Sequence, residues 1–307
     1  MILGKYILKR VLFGVLTLFI VATLTFVLMQ QVPGGPFVAE KSISAAAMQA
    51  MREKYGLDKP VIVQYWNYMK NALHGDFGLS LKERGRTVAE IISTKFPVSA
   101  RIGGISIVLA LCLGIPLGCV AALHRGKTAD NIIIVFSTMG IAVPSFVICT
   151  VLMYFFGVEL GWLPTYGLTS WKNYIMPVMA LSFYPTAYIA RQMRSSMLDV
   201  LGQDYMRTAK AKGLSETKIL YKHALRNAIL PIITYVGPLI AYTLTGSFVV
   251  EKVFTIPGLG GEFVSSILNQ DYMVIMGTTI FLAALIIFMN VVVDIGYTIA
   301  DPRIKLR

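Results

Sequence analysis

The chain has 307 residues, 56% of them hydrophobic and 14% charged, with a mean hydropathy of +0.67 and a net charge of +12. A soluble domain needs far more polar surface, so this composition describes a multi-pass membrane protein. The positive balance fits loops held on the cytosolic side and anionic lipid headgroups; nucleic acid is excluded as a partner, because the aromatic residues lie in apolar runs and not among the basic ones.

Six apolar runs follow one another along the chain, each read against a hydrocarbon core about 30 Å thick. The first, 11–29, comes after Lys5, Lys9 and Arg10, an order that imitates a signal peptide. It has the length of a full span, and Gln30-Gln31-Val32-Pro33 offers no small-residue cleavage site, so an uncleaved anchor is predicted. In the long loop that follows, 44–55 is helix-compatible with Gly56 as its stop. Residues 64–73 are predicted as an amphipathic helix ending before Gly75. Trp66, Tyr65 and Tyr68 there suit either the bilayer surface or a packed external subdomain.

The second and third runs are 102–123 and 132–158, with Arg125 and Lys127 between them. The fourth, 174–190, is short and carries Pro177 and Pro185, which blur its ends; the last two are 228–250 and 274–300. Cys112, Cys119 and Cys149 fall inside apolar runs with no paired spacing, so they read as packing residues. His74, His124 and His223 are scattered, and nothing in the chain resembles a phosphate-cradling loop, a metal-ligand cluster or a nucleophile beside a base. Such a chain is not an enzyme and must draw its energy from a partner.

Basic residues in the short loops set the orientation. With the N-terminus inside, the cytosolic segments hold Lys5, Lys9, Arg10, Arg125 and Lys127, a large basic loop after the fourth run, and Arg303, Lys305 and Arg307 at the end. The two short external loops carry only Lys172 and Lys252. Both termini are therefore expected in the cytosol.

The large loop, about 191–228, is the most informative segment. Residues 197–212 are helix-compatible, with Ala209 and Ala211 keeping the helix slim, and Gly213 supplies a left-handed residue to end it. Ser215 follows as an N-cap, Glu216 complements the dipole of a second helix, and Leu214 and Ile219 stand at staple spacing. Lys218, Lys222 and Arg226 recur every four residues and suit lipid-phosphate anchoring. The loop is predicted as helix, glycine corner, helix: a docking surface for a soluble partner.

This corner resembles the EAA loop of binding-protein-dependent ABC importer permeases, in which Glu-Ala-Ala, three residues, Gly and nine more residues lead to Ile-x-Leu-Pro. Here Arg207-Thr208-Ala209 precedes Gly213, and His223-Ala224-Leu225-Arg226 follows, so the Glu and the final Pro have both become Arg. Those changes, with Asp204-Tyr205, Ala211-Lys212-Gly213-Leu214 and Asn227-Ala228 before Leu230-Pro231, are similar to the peptide and nickel branch of that family. Gly56-Leu57-Asp58-Lys59-Pro60 with Gln64-Tyr65, Gly75-Asp76-Phe77-Gly78-Leu79-Ser80, and Val249-Val250-Glu251 with Phe254 and Pro257-Gly258-Leu259-Gly260 look like its external loops. Asp271-Tyr272 and Asp301-Pro302-Arg303 agree as well, while Pro33-Gly34-Gly35-Pro36 departs mildly from the usual Pro-Gly-Asp-Pro. A start directly at the first span resembles the B-type permease, not its C-type sister.

The resemblance implies an all-α, six-span type I ABC importer permease in the inner membrane. Its divisions would be an N-terminal span with its periplasmic loop, 1–93, and the importer-type transmembrane domain, 94–303. Arg207, Thr208, Ala209, Lys212, Gly213, Leu214, Ser215 and Glu216 would form the coupling loop. The implied partners are a homologous C-type permease, two ATP-binding subunits, a periplasmic substrate-binding protein and membrane lipid. No cofactor would be bound by this chain; ATP and Mg²⁺ would be used by the partner subunits. Oligopeptides are the expected cargo, with dipeptides, glutathione, haem, nickel complexes or opines as alternatives within the branch. An ion-coupled secondary transporter is the rival from another class. It would need intramembrane acids or broken helices near the midplane. The one acid well inside an apolar run, Asp294, is seven residues before Asp301, hence only about 10 Å from the cytosolic edge.

Overall fold

The computed structural model of the chain describes residues 2–31, 53, 56, 58–83, 85–215 and 218–300, with backbone alone at 2–7, 210 and 294–300. The helix expected at 44–55, the motif at 33–36, Glu216, the side chain of Asp294 and the segment 301–307 lie outside the fully described residues. Among the described residues the structure is helical, with a single isolated bridge between Leu79 and Thr87.

In chain order the helices are α1 (Ile2–Gln31), α2 (Val61–Leu73), α3 (Val88–Leu123), α4 (Thr128–Ala142) and α5 (Ser145–Leu152), which runs on as the π-helical Met153–Glu159. Next come α6 (Lys172–Leu201), α7 (Asp204–Ala211) and α8, which opens as the π-helical Ile219–Leu225 and closes as Arg226–Ala228. The chain ends with α9 (Leu230–Leu244), α10 (Phe248–Val253), α11 (Leu259–Leu268) and α12 (Tyr272–Ala300).

Among the described residues, four stretches are long and apolar enough to cross a membrane: Leu8–Gln31, Val88–Leu123, Leu230–Val253 and Tyr272–Val293. The third apolar run differs from its expected form. It is cut into α4 and α5, which meet at 107°. The cause is local: Pro144 has no N–H to continue the ladder and pushes Val143 into extended backbone, at φ −80° and ψ 125°.

The fourth run also reads differently in three dimensions. It belongs to a 30-residue helix, α6, that carries Arg191, Arg194 and Asp199 and falls short of the apolarity of the other spans. α6 is the innermost helix, with Met176, Ala187, Ile189, Ala190, Met193 and Met197 all but fully buried. Enclosed by its neighbours, it has no need of a lipid-like outer face.

α3 begins at a capping box, in which the Glu90 amide donates to Thr87 Oγ1 and the Thr87 amide donates to the Glu90 carboxylate. It then lies against α6 through Gly114 and Gly118, small residues spaced to let two backbones approach. A Cβ on Gly118 would sit 2.5 Å from the Cβ of Met193 and 2.6 Å from the Ala190 carbonyl oxygen. The principal core occupies the end of the bundle that carries α7 and α8. There Met193, Met197, Met206, Ile219, Ala224 and Ile232 bury one another.

At the opposite end α2 turns Tyr68 inward, while Tyr65 packs edge-on against Phe26 and bonds Thr23. Trp66 stays exposed. Of the two placements open to these aromatics, the packed subdomain takes Tyr65 and Tyr68.

Candidate functional site

The glycine corner has the local geometry that its residue types dictate. α7 is short and amphipathic, with Met206 and Ala209 in the core and Arg207, Thr208 and Lys212 exposed. Ala209 therefore faces inward and thins the contact with the bundle; Ala211 is the alanine on the outer side. Gly213 adopts φ +70°, the left-handed conformation expected of a residue just past a helix end. The Lys212 amide donates to the Thr208 carbonyl and the Leu214 amide to that of Ala209, at 3.0 and 3.4 Å, so two carbonyls of the last turn of α7 are used.

Across the corner, the Ile219 amide donates to the Ser215 carbonyl at 3.0 Å. Leu214 and Ile219 both join the core, as staple spacing implies. Asn227 Nδ2 donates to the Tyr205 hydroxyl at 3.0 Å and cross-ties α7 to α8. Lys218, Lys222 and Arg226 are exposed, so the corner offers solvent a cationic surface on a rigid apolar base.

A second tie at this end was not apparent in the sequence. Asp130 on α4 is buried and accepts from Arg194 Nε and Nη2 of α6, at 2.5 and 2.8 Å, and from the Gly126 amide at 2.9 Å. The bidentate pair holds α6 to the α3–α4 turn. Asp130 could have been noticed as an acid in the first turn of a helix, but its partner lies 64 residues away.

At the opposite end, motifs far apart in sequence converge. Ser80 Oγ donates to Asp271 Oδ2 at 2.5 Å, and the Leu81 and Lys82 amides also donate to that carboxylate. Ser99 Oγ donates to Glu251 Oε1 at 2.6 Å and accepts from the Leu259 amide at 2.8 Å, while the Gly261 amide donates to Glu251 Oε2 at 2.7 Å. Lys95 pairs with Glu262 beside them. The buried Glu251 carboxylate thus organises the turn from α10 to α11 and ties it to α3. Glu251 lies just beyond the expected run 228–250, two residues from the end of the apolar stretch Leu230–Val253.

Between the two ends lies a cavity of about 570 Å³, walled by the α4–α5 break, α6 and α9. No sequence motif pointed to it. The Val143-Pro144 step was the available signal.

A family model described as "Binding-protein-dependent transport system inner membrane component" matches residues 114–306, and its N-terminal companion matches 3–103. The chain is 45% identical over 305 residues to the dipeptide transport system permease protein DppB of Bacillus subtilis, covering 99% of each. It is 43% identical over 306 residues to the oligopeptide transport system permease protein OppB of Haemophilus influenzae, covering 98% of this chain and 99% of that one. With OppB of Salmonella typhimurium it shares 39% over 303 residues, again 98% and 99% of the two chains. Among solved structures, the inward-facing MetNI methionine ABC transporter superposes with a TM-score of 0.58 at 16% identity, covering 69% of this chain and 96% of that one, a likeness of fold alone.

Proposed function

As a member of the family of binding-protein-dependent transport system inner membrane components, the chain is the non-catalytic permease subunit of a peptide-branch ABC importer, and we propose that it carries oligopeptides inward through a six-span bundle with both termini in the cytosol. The full-length match to peptide permeases carries this reading. A dipeptide cargo is the second reading, favoured by the 45% identity to the Bacillus subtilis dipeptide permease.

In this reading a homologous sister permease completes the membrane unit, two ATPase subunits seat the corners, and a binding protein delivers the cargo. The exposed residues Arg207, Thr208, Lys212, Gly213 and Ser215 form the contact surface, and Glu216 extends it. Met206 and Ala209 anchor that surface in the core shared with α6 and α8. A displacement of the corner by closing ATPases is therefore passed to α6 and α9 instead of being absorbed locally, which suits a rocking transition between two packed states. The rival, an ion-coupled carrier, finds its broken helix at Pro144, but among the described residues no acidic side chain lines the cavity there.

Reconstitution tests the function. Labelled tri- to pentapeptides should accumulate only when both permeases, the ATPase subunits, the binding protein and ATP are all present. The purified chain alone should hydrolyse no ATP. Uptake by this chain alone under an ion gradient would refute the importer reading. Competition that is stronger from dipeptides than from longer peptides would select the second cargo.

A further inference from the structure

We propose that the cleft at the α4–α5 break is this chain's wall of the substrate passage, and that it holds a peptide by its backbone, without regard to side-chain charge. The proposal rests on the peptide-permease reading above and adds where and how the cargo is touched.

The break leaves polar backbone unpaired. Among the described residues, no backbone amide donates to the carbonyls of Gly140, Ile141 or Ala142, and the Ser145 and Phe146 amides at the start of α5 find no backbone acceptor. The break lies 15 residues into the pair, about 22 Å from its start, which is deep in a span. Unpaired backbone at such depth persists only inside protein or against a water-filled cavity. Here Gly140, Ile141, Ala142 and Ser145 all line the 570 Å³ cavity, which lies within the range of about 300–1,000 Å³ typical of ligand sites.

The facing walls repeat the pattern. On α6, Pro185 cannot donate to the carbonyl of Leu181, and both residues line the cavity. Tyr184, Tyr188 and Tyr235 form a stacked series, with ring centroids 6.3 and 4.1 Å apart. Tyr184 and Tyr235 from this series, with Tyr242, face the cleft. Tyrosine combines an apolar face with a hydroxyl that donates or accepts.

Among the described residues, no Asp, Glu, Lys, Arg or His lines the cavity. An extended peptide brings alternating N–H and C=O groups, the complement of carbonyls at the end of α4 and amides at the start of α5. With no fixed charge in the wall, an acidic or basic side chain is neither trapped nor turned away. Selection by charge is left to whatever delivers the peptide.

The test uses the assembled transporter in proteoliposomes, with ATP on the side of the ATPase subunits. Ala142→Cys is made on a background without the three native cysteines and modified after assembly with a cationic or an anionic methanethiosulfonate. Uptake of Ala-Lys-Ala and Ala-Glu-Ala is measured against tri-alanine, which cancels losses in folding or assembly. A charge a few ångströms from the cargo should raise one ratio and lower the other by about tenfold, and the opposite reagent should reverse both. Pro185→Ala, which returns a donor to the Leu181 carbonyl, should raise the KM for tri-alanine several-fold. A thiol unreactive in every nucleotide state, or equal changes for all three peptides, would overturn the passage. An unchanged KM in Pro185→Ala would overturn the backbone grip. Failure of the unmodified wild type to import any peptide would instead overturn the peptide reading on which both depend.

Discussion

Replacing Gly213 by Val separates conformational strain from steric conflict at the corner between α7 and α8, the proposed ATPase contact. A Cβ built on Gly213 meets nothing within 4 Å, so the substitution introduces no clash. Its cost comes from φ +70°, a conformation that penalises an L-residue by about 1–2 kcal/mol. Against a folding stability of about 5–15 kcal/mol, that leaves the bundle intact. The strain can be relieved by moving φ to negative values, but doing so swings α8 relative to α7. It also breaks the bond from the Leu214 amide to the Ala209 carbonyl. The corner then presents a different surface, and a docking equilibrium opposed by 1–2 kcal/mol shifts roughly 5- to 30-fold. Gly213→Val should therefore insert normally while peptide uptake, and ATPase stimulation by loaded binding protein, fall by about that factor. Gly213→Asn, which tolerates the left-handed region, should lose much less. Near-normal uptake in both variants at matched membrane levels would show that this corner does not transmit the stroke.

Asp130→Ala removes the buried partner of a pair whose Arg194 side chain is already 24% exposed, so the loss should fall near the low end of about 3–5 kcal/mol, read as a lower unfolding temperature in detergent. Replacing both Asp130 and Arg194 by apolar residues of similar size should recover much of that loss. Gly118→Leu would force α3 away from Met193 and Ala190, and membrane-inserted, protease-resistant chain should drop sharply; wild-type levels would show that the helices do not meet there. For orientation, Leu73→Cys (85% exposed in the native residue) should react with an impermeant maleimide from outside, and Gly213→Cys only after the membrane is opened. The reverse pattern would invert the topology.

Composition alone established a membrane protein, because no arrangement of so few polar residues could face water all round. The corner was legible for a related reason: Gly213, Ser215, Leu214 and Ile219 act on neighbours within a few residues, and short-range backbone chemistry is written in order along the chain. The apolar runs at 11–29, 102–123 and 274–300 likewise became helices, since lipid contact demands a continuous apolar surface. Tertiary structure decided the rest. α6 could be polar because other helices shield it, and a run of hydropathy cannot register such shielding. The pairs Asp130 with Arg194, Ser80 with Asp271 and Ser99 with Glu251 join residues 64, 191 and 152 positions apart, and only the folded bundle brings those carboxylates to their donors. The cleft is the extreme case. Pro144 marks where the backbone must break, but whether the freed carbonyls and amides are buried, paired or open to a passage depends on α6 and α9 arriving opposite them.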